Sequence, residues 1–248
     1  MEAVVHRLTV KKDLAKKRVL VTAGPTLEYL DPIRVITNKS SGKTGVTIVE
    51  EVLSRGAEVT FVYGPGTVMP PPRAKTISVE TSQEMYEAVI SELKSKKYDI
   101  LIAAAAVADW TPEKKYEYKI PTSTETELIV KLRPTPKIID AVKKVSPDTF
   151  LAAFRAESNL SDEELIESAY KRLKKAKADL ITANDIGRKG VGFDYETNEV
   201  LIVDANKKVV HVPLSTKREV AKRLLDVIIN KTECAAHQEQ EKLQTIGR

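Results

Sequence analysis

The chain has 248 residues, 42% hydrophobic and 30% charged, with ten glycines and twelve prolines; it can bury one large core or two small ones, which excludes collagenous, mucin-like and disordered polypeptides. Its 40 basic and 35 acidic side chains leave a charge of +5, with acids interspersed among the bases, so an anionic small molecule is expected rather than nucleic acid. One cysteine, Cys234, and three scattered histidines, His6, His211 and His237, exclude a disulfide framework and a Cys- or His-rich metal site.

No apolar run reaches the roughly 18 residues of a membrane helix, and the first 18 residues are too charged for a signal peptide, so a cytoplasmic protein is expected. Residues 1–17 read as a weak helix or linker, or as the remnant of a preceding domain. The β-branched run 18–23 predicts a strand, ended by Gly24-Pro25. Residues 44–55 carry Val46, Val49, Val52 and Leu53 at helical spacing, with Gly56 as the stop. Strands are expected at 58–63 and 75–80, separated by a proline run at 70–72 that forbids regular structure. A capped amphipathic helix follows over 82–96. Residues 98–107 are almost wholly apolar, as a strand buried on both faces requires.

The second half predicts strands at 127–132, 149–154 and 179–183 and helices at 136–145 and 162–177, the latter opened by a capping box at Ser161 and Glu164. A hairpin is expected over 199–212, turning at Ala205-Asn206, and a closing helix over 216–229. The polar residues 231–248 predict a mobile tail. Alternation of this kind implies an α/β, doubly wound, mostly parallel (Rossmann-like) sheet with a C-terminal antiparallel hairpin, one domain over 18–230.

Ligands of such sheets sit beyond the carboxyl ends of the strands. The first such loop is long, and Ser40, Ser41 and Gly42 open the next helix as an anion cradle of backbone N–H groups. Gly42-Lys43-Thr44 mimics the end of a Walker loop, but the leading glycine is replaced by Thr37, and no G-x-G-x-x-G is present. Asp109, just past a buried strand, suits a sugar hydroxyl, a base amine or Mg²⁺, or simply caps a turn. Lys119 lies in a charged stretch that reads as a lid over a triphosphate or as an ordinary surface loop. The basic run 171–177 is either a solvated helix end or a phosphate ligand. These residues alone support an α/β protein for a phosphorylated ligand, with a dinucleotide-dependent reductase and a non-catalytic binding module as rivals.

Six blocks then occur in order: Val21-Thr22-Ala23-Gly24-Pro25-Thr26, Asp31-Pro32-Ile33-Arg34, Thr37-Asn38-Lys39-Ser40-Ser41-Gly42-Lys43-Thr44-Gly45, Ala105-Ala106-Val107-Ala108-Asp109, Phe154-Arg155-Ala156-Glu157 and Ala183-Asn184-Asp185. Together, over about residues 17–230, the chain resembles phosphopantothenate–cysteine ligase, the amide-forming enzyme of coenzyme A synthesis. The resemblance implies that 4′-phosphopantothenate is activated by CTP as an acyl-cytidylate, with Mg²⁺, and that L-cysteine then displaces CMP. It implies a homodimer as well. Stretch 2–8 resembles the junction after a flavin-dependent decarboxylase half, a partner domain outside this chain.

Carried over residue by residue, the resemblance gives Asn38 an oxyanion-type role toward the intermediate and Lys119 the clamp on the triphosphate. Ala105, Ala106, Asp109, Pro136, Lys137, Ile138, Ile139 and Phe154 match nucleotide contacts. Arg34 is assigned to the substrate phosphate, alongside Ser40, Ser41 and Gly42. Two family cations fall at Arg172 and Ala176; the second is lost, and Lys175 or Lys177 is expected to replace it. The metal ligands are not assigned.

Overall fold

The computed structural model describes residues 11–122, 127–192 and 195–246. The first β-branched run is strand β1 (Arg18–Ala23). After it, two three-residue strands, β2 (Leu27–Tyr29) and β3 (Val35–Thr37), pair antiparallel as a side arm before helix α1 (Lys43–Ser54). Strands β4 (Glu58–Tyr63) and β5 (Lys75–Ser78), helix α2 (Ser82–Ser95) and strand β6 (Ile100–Ala103) follow. A second arm pairs β7 (Trp110–Pro112) with β8 (Leu132–Pro134). The chain then runs through α3 (Ile138–Val145), β9 (Phe150–Glu157), α4 (Asp162–Ala176) and β10 (Leu180–Asp185), and ends in the hairpin β11 (Thr197–Asp204) and β12 (Val209–Thr216) and helix α5 (Lys217–Ile246).

Eight strands make one sheet in the order β12-β11-β10-β9-β6-β1-β4-β5, parallel from β5 to β10 and antiparallel from β10 to β12. This is the expected doubly wound fold with its terminal hairpin. Alternation along β1 splits the core: Val19 and Val21 face α1 and α5 with Val49, Phe61 and Leu224, whereas Leu20 faces α2, α3 and α4 with Met85, Val142 and Leu165. Burying each such side chain fully stabilises the fold by about 1.5–3 kcal/mol. Helices α2 and α4 start where their caps dictate: Thr81 with Glu84, and Ser161 with Glu164, form complete capping boxes. Helix α4 stops in a Schellman turn, in which the Ala178 and Lys177 N–H groups donate to the carbonyls of Leu173 and Lys174 while Lys177 takes φ +53°.

Three expectations need correction. The strand expected at 127–132 is only Leu132–Pro134, paired with β7 outside the main sheet; Leu128 and Ile129 are exposed, so their apolar character serves no core of this chain. The run 98–107 is a strand only to Ala103, because its neighbour β1 ends at Ala23 and the chain turns away there. The last helix does not stop at 229 but continues to Ile246; Glu, Gln, Lys and Ala are good helix formers, and extending an existing helix needs no new nucleus. No helix among the described residues is long and apolar enough to cross a membrane.

Candidate active site

The chain leaves β1 toward β4 on one side and reaches β6 on the other, so the switch in direction lies between β1 and β6. Beyond the carboxyl ends of β1, β6, β9 and β10 lies a cleft of about 490 Å³. Its wall includes Asn38, Ser40, Ser41, Gly42, Ala105, Ala106, Asp109, Pro136, Lys137, Ile138, Ile139, Phe154, Arg172 and Lys175. The structure therefore brings together residues spread over more than half the sequence.

The start of α1 forms one side. Gly42 is its N-cap, at φ +79°, and a Cβ there would run into the Tyr63 ring. Gly45 lies so close to β1 that a Cβ would meet that of Ala23, which seats the helix start low over the strand end. The Gly42 and Lys43 N–H groups donate to the hydroxyls of Ser40 and Ser41, both at 3.3 Å. The residues that follow at this helix end, Thr44 and Gly45, line the cleft, where the N–H groups of a first turn lack intrahelical partners. Tyr63 lies beneath. Its hydroxyl donates to the Val68 carbonyl at 2.7 Å, burial raises its pKa above the ordinary phenol value, and its ring also occupies the place a side chain at Gly66 would need.

The turn after β6 forms the facing side. Asn38 reaches across to it, its Nδ2 donating to the carbonyls of Ala106 at 3.2 Å and Val107 at 3.1 Å. Below, the Ala106 N–H donates to Gly24 and the Thr135 N–H to Asp109, tying the turn to the loop after β1 and to the entry of α3. Lys137 pairs with Asp109 across the mouth.

Among the described residues six cations line the cleft, Lys43, Lys137, Arg155, Arg172, Lys175 and Lys217, against the single carboxylate of Asp109. Arg172 donates to Asp140 at 2.6 Å, and Arg155 to Glu157 at 2.7 Å and to Ser168 at 2.8 Å, so both guanidinium groups are held in place. Lys43 pairs with Glu196, whose carboxyl this contact lowers below its ordinary range. Such a wall attracts polyanions and concentrates them. Among the described residues no three His, Cys, Asp or Glu side chains cluster as a metal cage.

Three residues expected at the site lie outside this wall. Arg34 sits at the tip of the first arm, on the buried Asp31 and 3.3 Å from the Ile120 carbonyl. Burial would raise the Asp31 carboxyl, but N–H groups of Ile33, Arg34 and Ile120 and the Arg34 guanidinium outweigh it and hold it at about 2. Lys119 is exposed on the loop leading to Ile120. Lys177 is the left-handed residue closing α4, while Ala176 is buried; of the two candidates to replace the missing cation, the cleft holds Lys175.

Sequence reasoning missed Lys43, Arg155 and Lys217. Lys217 is buried, donating to the carbonyls of Gly192 at 3.2 Å and Tyr195 at 2.5 Å. One signal was available: a lysine at the first residue of a helix sits where the dipole disfavours a cation.

A family model of the DNA/pantothenate metabolism flavoprotein C-terminal domain matches residues 14–232. The chain belongs to this family. This C-terminal-domain chain is 49% identical over 233 residues to the coenzyme A biosynthesis bifunctional protein CoaBC of Thermococcus kodakarensis, covering 92% of itself and 55% of that protein. It is 36% identical over 228 residues to the CoaBC protein of Methanocaldococcus jannaschii, covering 92% and 54%. It thus spans about half the length of these curated relatives. The crystal structure of the C-terminal domain of a CoaBC protein superposes with a TM-score of 0.74 at 35% identity, covering 90% of this chain and 99% of that one.

Proposed function

We propose that the chain is the ligase half of a coenzyme A biosynthesis protein, cytoplasmic, joining 4′-phosphopantothenate to L-cysteine at the expense of CTP. The observation that carries this reading is the cleft itself: an open helix start faces an asparagine-held turn, within a wall that among the described residues holds six cations and one carboxylate. The place of the domain in CoaBC relatives supports it.

A carboxylate does not react with an amine, so it must first become a mixed anhydride. In the proposed sequence the pantothenate carboxylate oxygen attacks the α-phosphorus of CTP and the bond to pyrophosphate breaks. The cysteine amine then attacks the acyl carbon and CMP leaves. No side-chain nucleophile is required; the protein positions two polyanions and offsets their charge. The α1 start with Ser40, Ser41 and Gly42 would hold phosphate oxygens, and Lys137, Arg172 and Lys175 the nucleotide side, with Phe154 and Ile139 as apolar walls. Lys119 would reach the triphosphate by movement of its loop.

Asn38 needs one adjustment. Its amide hydrogens are engaged by two backbone carbonyls, so it must release one to serve a developing oxyanion; a hydrogen bond to a charged oxygen is about twice as strong as one to a neutral carbonyl, which favours the exchange. Mg²⁺ would arrive with the triphosphate, neutralising its charge. Asp109 is the cleft carboxylate able to ligate it, the other ligands being phosphate and water, as is usual for this ion.

A homodimer is part of the proposal, supported by exposed apolar residues on the two arms, Ile33, Trp110 and Leu132. So is a decarboxylase half elsewhere in the natural protein, supported by the bifunctional relatives. The decisive assay follows pyrophosphate and CMP from the purified chain with phosphopantothenate, cysteine and either CTP or ATP. Release is expected only with phosphopantothenate present, and Asn38→Asp is expected to slow the cysteine step more than anhydride formation. No release with either nucleotide would end the reading.

A further inference from the structure

Thr26 lies outside the cleft wall yet is fully buried, two residues from the buried Glu28. Its hydroxyl donates to Glu28 Oε1 at 3.1 Å and accepts the Ala108 N–H at 3.0 Å. Its carbonyl accepts the hydroxyl of Thr37, the residue before Asn38, at 2.8 Å. Glu28 Oε1 also accepts the Ser82 N–H at the start of α2, at 3.0 Å, which fixes the carboxylate.

A threonine hydroxyl has one hydrogen. With that hydrogen given to Glu28, the oxygen can present only lone pairs to Ala108, so the direction of the second bond is set. The Ala108 N–H and the Val107 carbonyl belong to one planar peptide unit. Thr26 therefore holds one edge of the plane whose other edge accepts the Asn38 amide. The same residue fixes the strand that delivers Asn38, through Thr37. We propose that Thr26, oriented by Glu28, is a positioning residue for Asn38: it locks the 107–108 peptide against rotation and so sets where the Asn38 amide stands. This rests on the ligase reading for its kinetic consequence, but not for its structural one.

The test compares Thr26→Val, which keeps the shape and loses the hydroxyl, with Thr26→Ser, which keeps the hydroxyl. Nuclear magnetic resonance of the full chain follows the Asn38 side-chain amide and the Ala108 backbone amide. Thr26→Val is expected to shift both signals and to speed Ala108 hydrogen exchange at least tenfold, on the order expected for losing a buried bond, and Thr26→Ser to leave both near wild type. In the half-reaction assay Thr26→Val is expected to slow the cysteine step by about 10- to 100-fold with nucleotide affinity unchanged, Thr26→Ser restoring it. On an Asn38→Ala background the Thr26→Val loss should vanish, because the two act as one unit. Unchanged amide signals in Thr26→Val, or a full additional loss in the double variant, would overturn the proposal. An inactive wild type with the expected amide shifts would refute the ligase reading and leave the positioning role standing. If Thr26→Val does not fold, Thr26→Cys, whose thiol is only a weak acceptor, gives the same comparison.

Discussion

Lys175 and Lys177 have opposite expected roles although they are two residues apart. Lys177 closes α4 at φ +53° and ψ +34°. An L-residue pays about 1–2 kcal/mol in that conformation, while glycine loses about 0.4–1 kcal/mol more in unfolded-chain entropy. Lys177→Gly should therefore stabilise the protein by about 0.5–1 kcal/mol, a rise of roughly 1–4 °C in Tm for a domain of this size. The Schellman bonds from Lys177 and Ala178 are backbone bonds and survive the change. Lys175 lies in the cleft wall one turn from Arg172. An ammonium about 4 Å from a phosphate charge gains about 4 kcal/mol at an effective dielectric constant of 20, most of it offset by lost hydration and side-chain freedom. A net loss of about 1–2 kcal/mol, or about 5- to 30-fold in CTP affinity, is expected for Lys175→Ala, with Tm almost unchanged. Calorimetric titration with CTP and thermal denaturation of both variants separate the two effects. Weaker CTP binding by Lys177→Gly with normal binding by Lys175→Ala would refute the assignment of the replacement cation.

Gly45→Ala should push the start of α1 off β1, costing about 1–3 kcal/mol by overpacking against Ala23 and weakening CTP binding; an unchanged denaturation midpoint would contradict the close approach. Asp31 has its carboxyl depressed from 3.8 to about 2 in the fold, so its contribution is complete above about pH 4 and lost as pH falls toward 2. The difference in Tm between wild type and Asp31→Asn should accordingly shrink across that window, and a constant difference would refute the depressed pKa. Ile33→Asp and Trp110→Glu, at positions 65% and 52% exposed, should convert a dimer to a monomer in sedimentation equilibrium and remove the concentration dependence of Tm that dimerisation supplies; a wild-type monomer would remove the dimer from the proposal.

The sheet was legible because its signals are local. The runs of β1, β4, β6 and β10 are buried almost throughout, and α2 and α4 carry capping boxes and apolar spacing that need no distant partner. The arms were not legible: three residues are too few to show a period, and β7 and β8 contain Pro112 and Pro134, which argue against a strand except at an edge. At the site, the glycines and hydroxyls of the α1 start could be read from loop chemistry, which constrains residue type, whereas Asn38 entered through the family resemblance alone. Cations were less readable. Arg34 reads as a phosphate fork, yet Asp31, three residues earlier, takes its guanidinium. Which of two neighbouring lysines faces the cleft depends on where α4 ends, and a helix end is fixed only to within a residue or two by pattern.

Tyr63 gives the anion cradle a consequence of its own. Its ring fills the space that side chains at both Gly42 and Gly66 would need, and the Thr67 N–H bonds the Ser41 carbonyl at 3.0 Å across the top. Two loops from different strands are thus clamped at one height over a single aromatic slab. In the proposed role a phosphate would meet backbone donors already held in place, so little ordering entropy would oppose its arrival. A side chain at 66 would collide with the slab and with the Ser41 carbonyl, one at 42 would meet both the slab and a left-handed backbone, and shrinking the slab would let the donors sag away from the cleft.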